Sequence, residues 1–142
     1  MNNSIGVLIA ASAIVYGTPL LYAALGELLA ERSGVLNLGV EGMMAVGAVA
    51  GFAAADIFGT PGAGVLASAL AGALMAGLFG VVTLIFRANQ VASGLALTLF
   101  GLGLSGLVGT PYVGRPGAGI AKVSIPVLSD LPVVGPILFG ED

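Results

Sequence analysis

The chain has 142 residues, 58% of them hydrophobic and 8% charged, with a mean hydropathy of +1.12. A soluble domain carries about 25% charged side chains, so this composition excludes a water-solvated globule and reads as an all-α integral membrane protein. The net charge of −3 comes from scattered residues, which leaves no basic patch for nucleic acid, and the absence of cysteine and histidine excludes disulfides, thiolate chemistry, the common zinc sites and an imidazole acid or base.

The first apolar stretch, about residues 4–31, opens on Ser4, a plausible helix N-cap. No Lys or Arg precedes Arg32, so the positive region of a cleavable signal peptide is missing. The run from Ile5 to Gly26 would rise ~33 Å as a helix, enough for a hydrocarbon core of ~30 Å. Pro19 lies inside it, after Gly17 and Thr18; a packing kink is the simpler reading and a gating hinge the alternative.

The second stretch, about 39–58, reaches Asp56 at the interface and ends in the turn Gly59-Thr60-Pro61-Gly62. The third, 63–86, contains no charge. Arg87-Ala88-Asn89-Gln90 joins it to the fourth, 91–109, and so short a link implies an antiparallel hairpin. Four transmembrane helices are expected. Small residues recur at every fourth position: Gly47, Gly51 and Ala55; Ser68, Gly72, Ala76 and Gly80; Gly101, Ser105 and Gly109. Lipid supplies no hydrophobic drive for helices to meet, so close backbone approach must supply the contact. Gly47, Gly51, Gly72, Ala76, Gly80, Gly101 and Ser105 are therefore expected at helix–helix seams.

Residues 110–142 differ in texture. They hold the charges Arg115, Lys122, Asp130, Glu141 and Asp142 and most of the prolines, and read as an external loop. Lys122 to Leu128 suits an extended run, and Val133 to Phe139 is apolar but too short to span. Arg32 and Arg87 fall on one side of the membrane, the cytoplasmic side by the positive-inside bias, which places Arg115 and Lys122 outside near three acids.

Between the first two stretches lies the polar break Glu31-Arg32-Ser33-Gly34-Val35-Leu36-Asn37-Leu38-Gly39-Val40-Glu41-Gly42, with three of the eleven charged side chains. A charge at the bilayer centre costs about 2.5–3.5 kcal/mol on insertion scales. Glu27, Glu31, Arg32 and Glu41 must therefore sit at the interface or face protein and water. Glu27, Glu31 and Arg32 read equally well as an interfacial charge cluster. Non-helical backbone at depth is tolerated only in protein or beside a watery cavity, and broken helices are where transporters place binding sites. Asn37, Gly39, Glu41 and Gly42 are thus candidate substrate-path residues; for Glu41 a helix-capping role is the plain alternative and an inter-subunit contact the third. The second turn echoes the first: Arg32 is followed seven residues later by Gly39, and Arg87 by Gly94. Asn89 and Gln90 of that turn join the candidates. No catalytic motif, metal-ligand set or nucleotide-binding loop is present, so no enzyme activity is expected.

Two runs carry a family resemblance. One leads from Thr18-Pro19-Leu20-Leu21-Tyr22 and Glu27 through the whole break to Met43-Met44 and Gly47-Ala48. The other is Arg87-Ala88-Asn89-Gln90-Val91-Ala92-Ser93-Gly94-Leu95-Ala96-Leu97. Together they resemble permease subunits of bacterial ABC importers in the branched-chain amino acid, ribose and simple-sugar group, closest to nucleoside-type permeases, over about residues 5–110. The resemblance implies an inner-membrane subunit lining the path of a nucleoside or simple sugar. It also implies a second permease subunit, a cytoplasmic ATPase that alone binds ATP, and an external substrate-binding lipoprotein. Members of that group are roughly twice as long, so this chain is expected to be an N-terminal portion. The alternative is a small self-assembling membrane scaffold or channel built through the Gly/Ala helix faces.

Overall fold

The computed structural model describes residues 5–117. Ser4, the Lys122–Leu128 and Val133–Phe139 runs, and the charges Lys122, Asp130, Glu141 and Asp142 lie outside the described residues. Four helices form: α1 (Ile5–Arg32), α2 (Val40–Phe58), α3 (Pro61–Gly80) and α4 (Gln90–Gly109). A π-helical turn, Val81–Ile85, extends α3, and a 3-10 turn, Thr110–Tyr112, extends α4. The chain is therefore all-α among the described residues, and each of the four helical runs is long and apolar enough to cross a membrane. The outward side chains match that solvent: Leu74 and Leu107 are each 75% exposed.

The chain forms two compact units, one containing the start of α1 through Leu25, the other running from Gly26 to Ala118. In the first unit α1 passes through Pro19, which has no N–H to offer the preceding turn. Thr18 Oγ1 there donates to the Ile14 carbonyl at 2.6 Å.

The second unit holds the rest, and local chemistry sets each boundary. Gly34 (φ +80°) ends α1 in a Schellman motif, its N–H donating to the Glu31 carbonyl and that of Val35 to the Ala30 carbonyl. Gly59 (φ +65°) ends α2, donating to the Ala55 carbonyl. Pro61 then occupies the first turn of α3, where its missing N–H would be unbonded anyway. At the far end of α3 the Phe86 N–H reaches back five residues to the Val81 carbonyl, and Arg87 follows with φ +54°, the single positive φ outside glycine among the described residues.

Helix α2 carries two seams. Its Gly47 and Gly51 side meets α3 at Gly64 and Ser68: a Cβ on Gly64 would stand 2.9 Å from the Gly51 carbonyl oxygen. Its Gly42 side meets α4: a Cβ on Gly101 would stand 2.5 Å from the Gly42 carbonyl oxygen and 2.6 Å from its Cα. Only glycine admits that approach, because the obstacle is backbone. Val46, Met75, Phe79 and Leu97 form the small buried core between the three helices, flanked by Val35, Met43, Ala71 and Leu104.

The α3 stripe behaves differently from its period-four reading. Ser68 is at the seam, but nothing lies within 4 Å of a Cβ built on Gly72 or Gly80, and Ala76 is exposed. A step of four residues advances 400°, so each repeat drifts ~40° around the helix and leaves the seam within three steps. The α3 residues that face its neighbours are Gly64, Ser68, Ala71, Met75 and Phe79. On α4 the corresponding inward residues are Gly94, Leu97, Gly101 and Leu104, with Ser105 half-buried beside them.

Candidate functional site

The break is a short non-helical link from Ser33 to Gly39 with an ordered hydrogen-bond scaffold. Its exposed backbone groups have lost helical partners, and side chains from α1, α4 and the link itself replace them. Gln90, in the first turn of α4, uses both ends of its amide: Oε1 accepts from the Leu36 N–H at 2.7 Å, and Nε2 donates to the Gly34 carbonyl at 3.4 Å. Thr98 Oγ1, two turns further along α4, donates to the Leu38 carbonyl at 2.8 Å. Glu27 Oε1, near the end of α1, accepts from the Asn37 N–H at 3.0 Å. Asn37 closes a turn on itself, its Oδ1 accepting from the Gly39 N–H at 2.9 Å, while Nδ2 lies 3.7 Å from Met43 Sδ.

Close backbone contact reinforces these bonds. A Cβ on Gly94 would stand 2.7 Å from the Leu38 nitrogen, and one on Gly39 would stand 2.9 Å from Leu97 Cδ2. The two turns that echo each other in sequence are thus pressed together, each placing its glycine against the other. The link is held from one side only: Gly39 is buried against α4, while Ser33, Gly34, Leu36 and Leu38 stay exposed.

The structure gathers the candidate residues but gives them different tasks. Asn37 and Gly39 form the turn itself. Gly42 lies on the α2–α4 seam. Gln90 holds the break from outside. Asn89 caps α4, its Oδ1 accepting from the Ala92 N–H at 3.0 Å. Glu41 is exposed in the first turn of α2, where an acid suits the helix dipole. Sequence reasoning missed Thr98 and the structural use of Glu27. Thr98 did carry a signal, as a hydrogen-bonding side chain in an apolar span. Glu27 carried none beyond its charge, because its partner lies ten residues away on non-helical backbone.

The other end of α2 carries a second polar cluster. Arg115 Nη1 donates to Asp56 Oδ2 at 2.8 Å, the one ion pair among the described residues. Its guanidinium lies 5.4 Å from the Tyr112 ring centroid, and Tyr112 meets Phe52 edge-on at 5.8 Å. Asp56, expected simply at the interface, thus anchors the segment that follows α4. Between α3 and α4 lies an open cavity of about 450 Å³ lined by Leu78, Phe79, Val82, Ala96 and Phe100 among others. Ser93 is its sole hydroxyl, which fits an apolar contact and not a polar solute.

Comparison with known proteins places this arrangement. The family described as branched-chain amino acid transport system / permease component matches residues 9–132. A Haloferax volcanii protein named for a glucose ABC transporter permease is 39% identical over 126 residues, covering 86% of this chain and 38% of its own. The guanosine ABC transporter permease protein NupQ of Bacillus subtilis is 34% identical, over 94% of this chain and 46% of its own. The nucleoside ABC transporter permease protein NupC of Lactococcus lactis is also 34% identical, over 94% and 45%. The chain therefore spans less than half the length of these curated relatives. No solved structure matches it significantly. With four membrane-length helices and a matching region that takes in the whole break, the chain belongs to the branched-chain amino acid transport system / permease component family.

Proposed function

We propose that the chain forms part of the membrane-spanning permease subunit of an ATP-driven importer, and that it borders the translocation path of a nucleoside or a simple sugar. The observation that carries this reading is the break, a non-helical link tied to a third helix by side-chain hydrogen bonds. An irregular segment held by protein on one side and open on the other suits a site that borders the path of a polar solute. The names of the relatives supply the substrate class, since they refer to guanosine, nucleosides and glucose. In this reading Asn37, Gly39, Glu41, Gly42, Asn89 and Gln90 shape or border the path, and Glu41 supplies its exposed charge.

The remaining parts follow from the importer class. A cytoplasmic ATPase binds and hydrolyses ATP, a second permease subunit completes the path, and an external lipoprotein delivers the substrate. The subunit resides in the bacterial plasma membrane, with the turns at Arg32 and Arg87 in the cytoplasm. The test is purification of the native full-length subunit in mild detergent, followed by reconstitution into vesicles. Co-purification of an ATPase and a second permease, with ATP-driven uptake of labelled guanosine or glucose, is expected. A particle made solely of copies of this subunit, with solute flux indifferent to ATP, would overturn the proposal.

A further inference from the structure

In the scaffold around the break, Glu27 is half used. Its Oε1 accepts from the Asn37 N–H at 3.0 Å. Its Oε2 is buried and has no hydrogen-bond partner. A carboxylate oxygen takes up to two donors, and leaving a buried one empty carries the full desolvation penalty, so such an atom calls for an explanation.

The setting supplies one. The Asn37 N–H that bonds this carboxylate lies in the segment Leu36–Leu38, which α4 holds by exposed side-chain bonds from Gln90 and Thr98 and by the close approach of Gly94 to Leu38. The helices on either side keep their own backbone bonds if that segment lifts. Lifting frees Oε1 as well, which presents both carboxylate oxygens together.

We propose that Glu27 is a ligand-binding residue: its carboxylate accepts the paired hydroxyls of a vicinal diol when Leu36–Leu38 lifts away. This rests on the reading of the chain as part of a nucleoside or sugar importer. Nucleosides and simple sugars differ in size and in the base, and they share adjacent ring hydroxyls. A carboxylate matches that pair with one oxygen per hydroxyl, through charge-assisted bonds stronger than neutral ones. The empty Oε2 destabilises the covered state, so a diol that fills it favours the open one.

The experiment uses the full-length permease with its partners, in vesicles, and compares guanosine with 2′,3′-dideoxyguanosine. Glu27→Gln keeps an acceptor for the Asn37 N–H and puts an amide NH2 where Oε2 stands. The maximal uptake rate of guanosine is expected to fall about tenfold, the factor that loss of one charge-assisted hydrogen bond brings. The rate for the dideoxy compound is expected to stay unchanged. An equal fall for both compounds would make Oε2 a structural acceptor for the assembled complex and overturn the proposal, as would unchanged rates for both. If Glu27→Gln does not assemble, Glu27→Asp, which withdraws the carboxylate by one methylene, is measured in the same way and the same contrast decides. Absence of ATP-driven uptake of guanosine and of glucose in the unmodified complex would remove the importer reading itself, and this proposal with it.

Discussion

Gly101→Ala tests the α2–α4 seam on which the break is mounted. The added Cβ would stand 2.5 Å from the Gly42 carbonyl oxygen and 2.6 Å from Gly42 Cα. Ordinary carbon contacts begin near 3.5 Å, so the two helices must part by roughly 1 Å. No rotamer relieves this, because both obstacles are backbone. Overpacking of this kind costs about 1–3 kcal/mol. Gly72→Ala is the matched control: the same chemical change inside a helix, with nothing within 4 Å of the new atom. There the helix-propensity gain of about 1 kcal/mol stands alone. The propensity gain is common to both variants, so they should differ by the overpacking cost, about 1–3 kcal/mol, or roughly 2–12 °C in apparent Tm at 2–4 °C per kcal/mol. The assay is thermal unfolding of the full-length permease in a single mild detergent. Gly101→Ala melting at or above Gly72→Ala would refute the seam.

Removing the outer hold on the break, with Gln90→Ala and Thr98→Val together, should raise amide hydrogen exchange at Leu36 and Gly39 by about tenfold while exchange in α3 is unchanged, since each bond is worth about 0.6–1 kcal/mol; equal exchange in wild type and variant would show that glycine contact alone holds the segment. Glu41→Gln in the full-length subunit should lower uptake with assembly intact, and wild-type uptake would remove Glu41 from the path. Asn89→Ala should cost about 1 kcal/mol of stability and Asn89→Asp much less, because the carboxylate still accepts from the Ala92 N–H; identical losses in thermal unfolding would contradict a cap. Asp56→Asn should cost under about 1 kcal/mol, since Arg115 is half exposed and such pairs are weak; a loss several times larger on unfolding would mean that the pair supports more than the segment after α4.

Much of the fold is legible in the sequence because the bilayer makes its demands in one dimension. A run of about twenty apolar residues suffices to mark a span, and Gly34, Gly59 and Pro61 mark where spans end. The break is legible for the same reason, as charged side chains beside a stretch the solvent keeps apolar. Partners across helices are less so. That Glu27 serves Asn37, and that Thr98 serves Leu38 sixty residues away, follows from how α1 and α4 lie against the link, which no local pattern encodes. The Gly72-Ala76-Gly80 stripe is a regular pattern that rotates round α3 away from the α2 and α4 seams of the described residues. Asn89 and Gln90 show how neighbours diverge, since one amide caps its own helix and the next reaches another turn.

The bonds between Gln90 and the break also set an order of events during synthesis. The Leu36 N–H waits for an acceptor 54 residues downstream, which at 5–20 residues per second takes about 3–10 s to be made. Through that interval α1 and α2 can already be in the membrane, yet the link between them has neither Gln90 nor Thr98. Water must serve its backbone, so the link has to remain at the aqueous boundary until the fourth helix arrives. The hairpin of the first two helices is in this sense a nascent intermediate, and the emergence of α4 from the ribosome is the step that completes it.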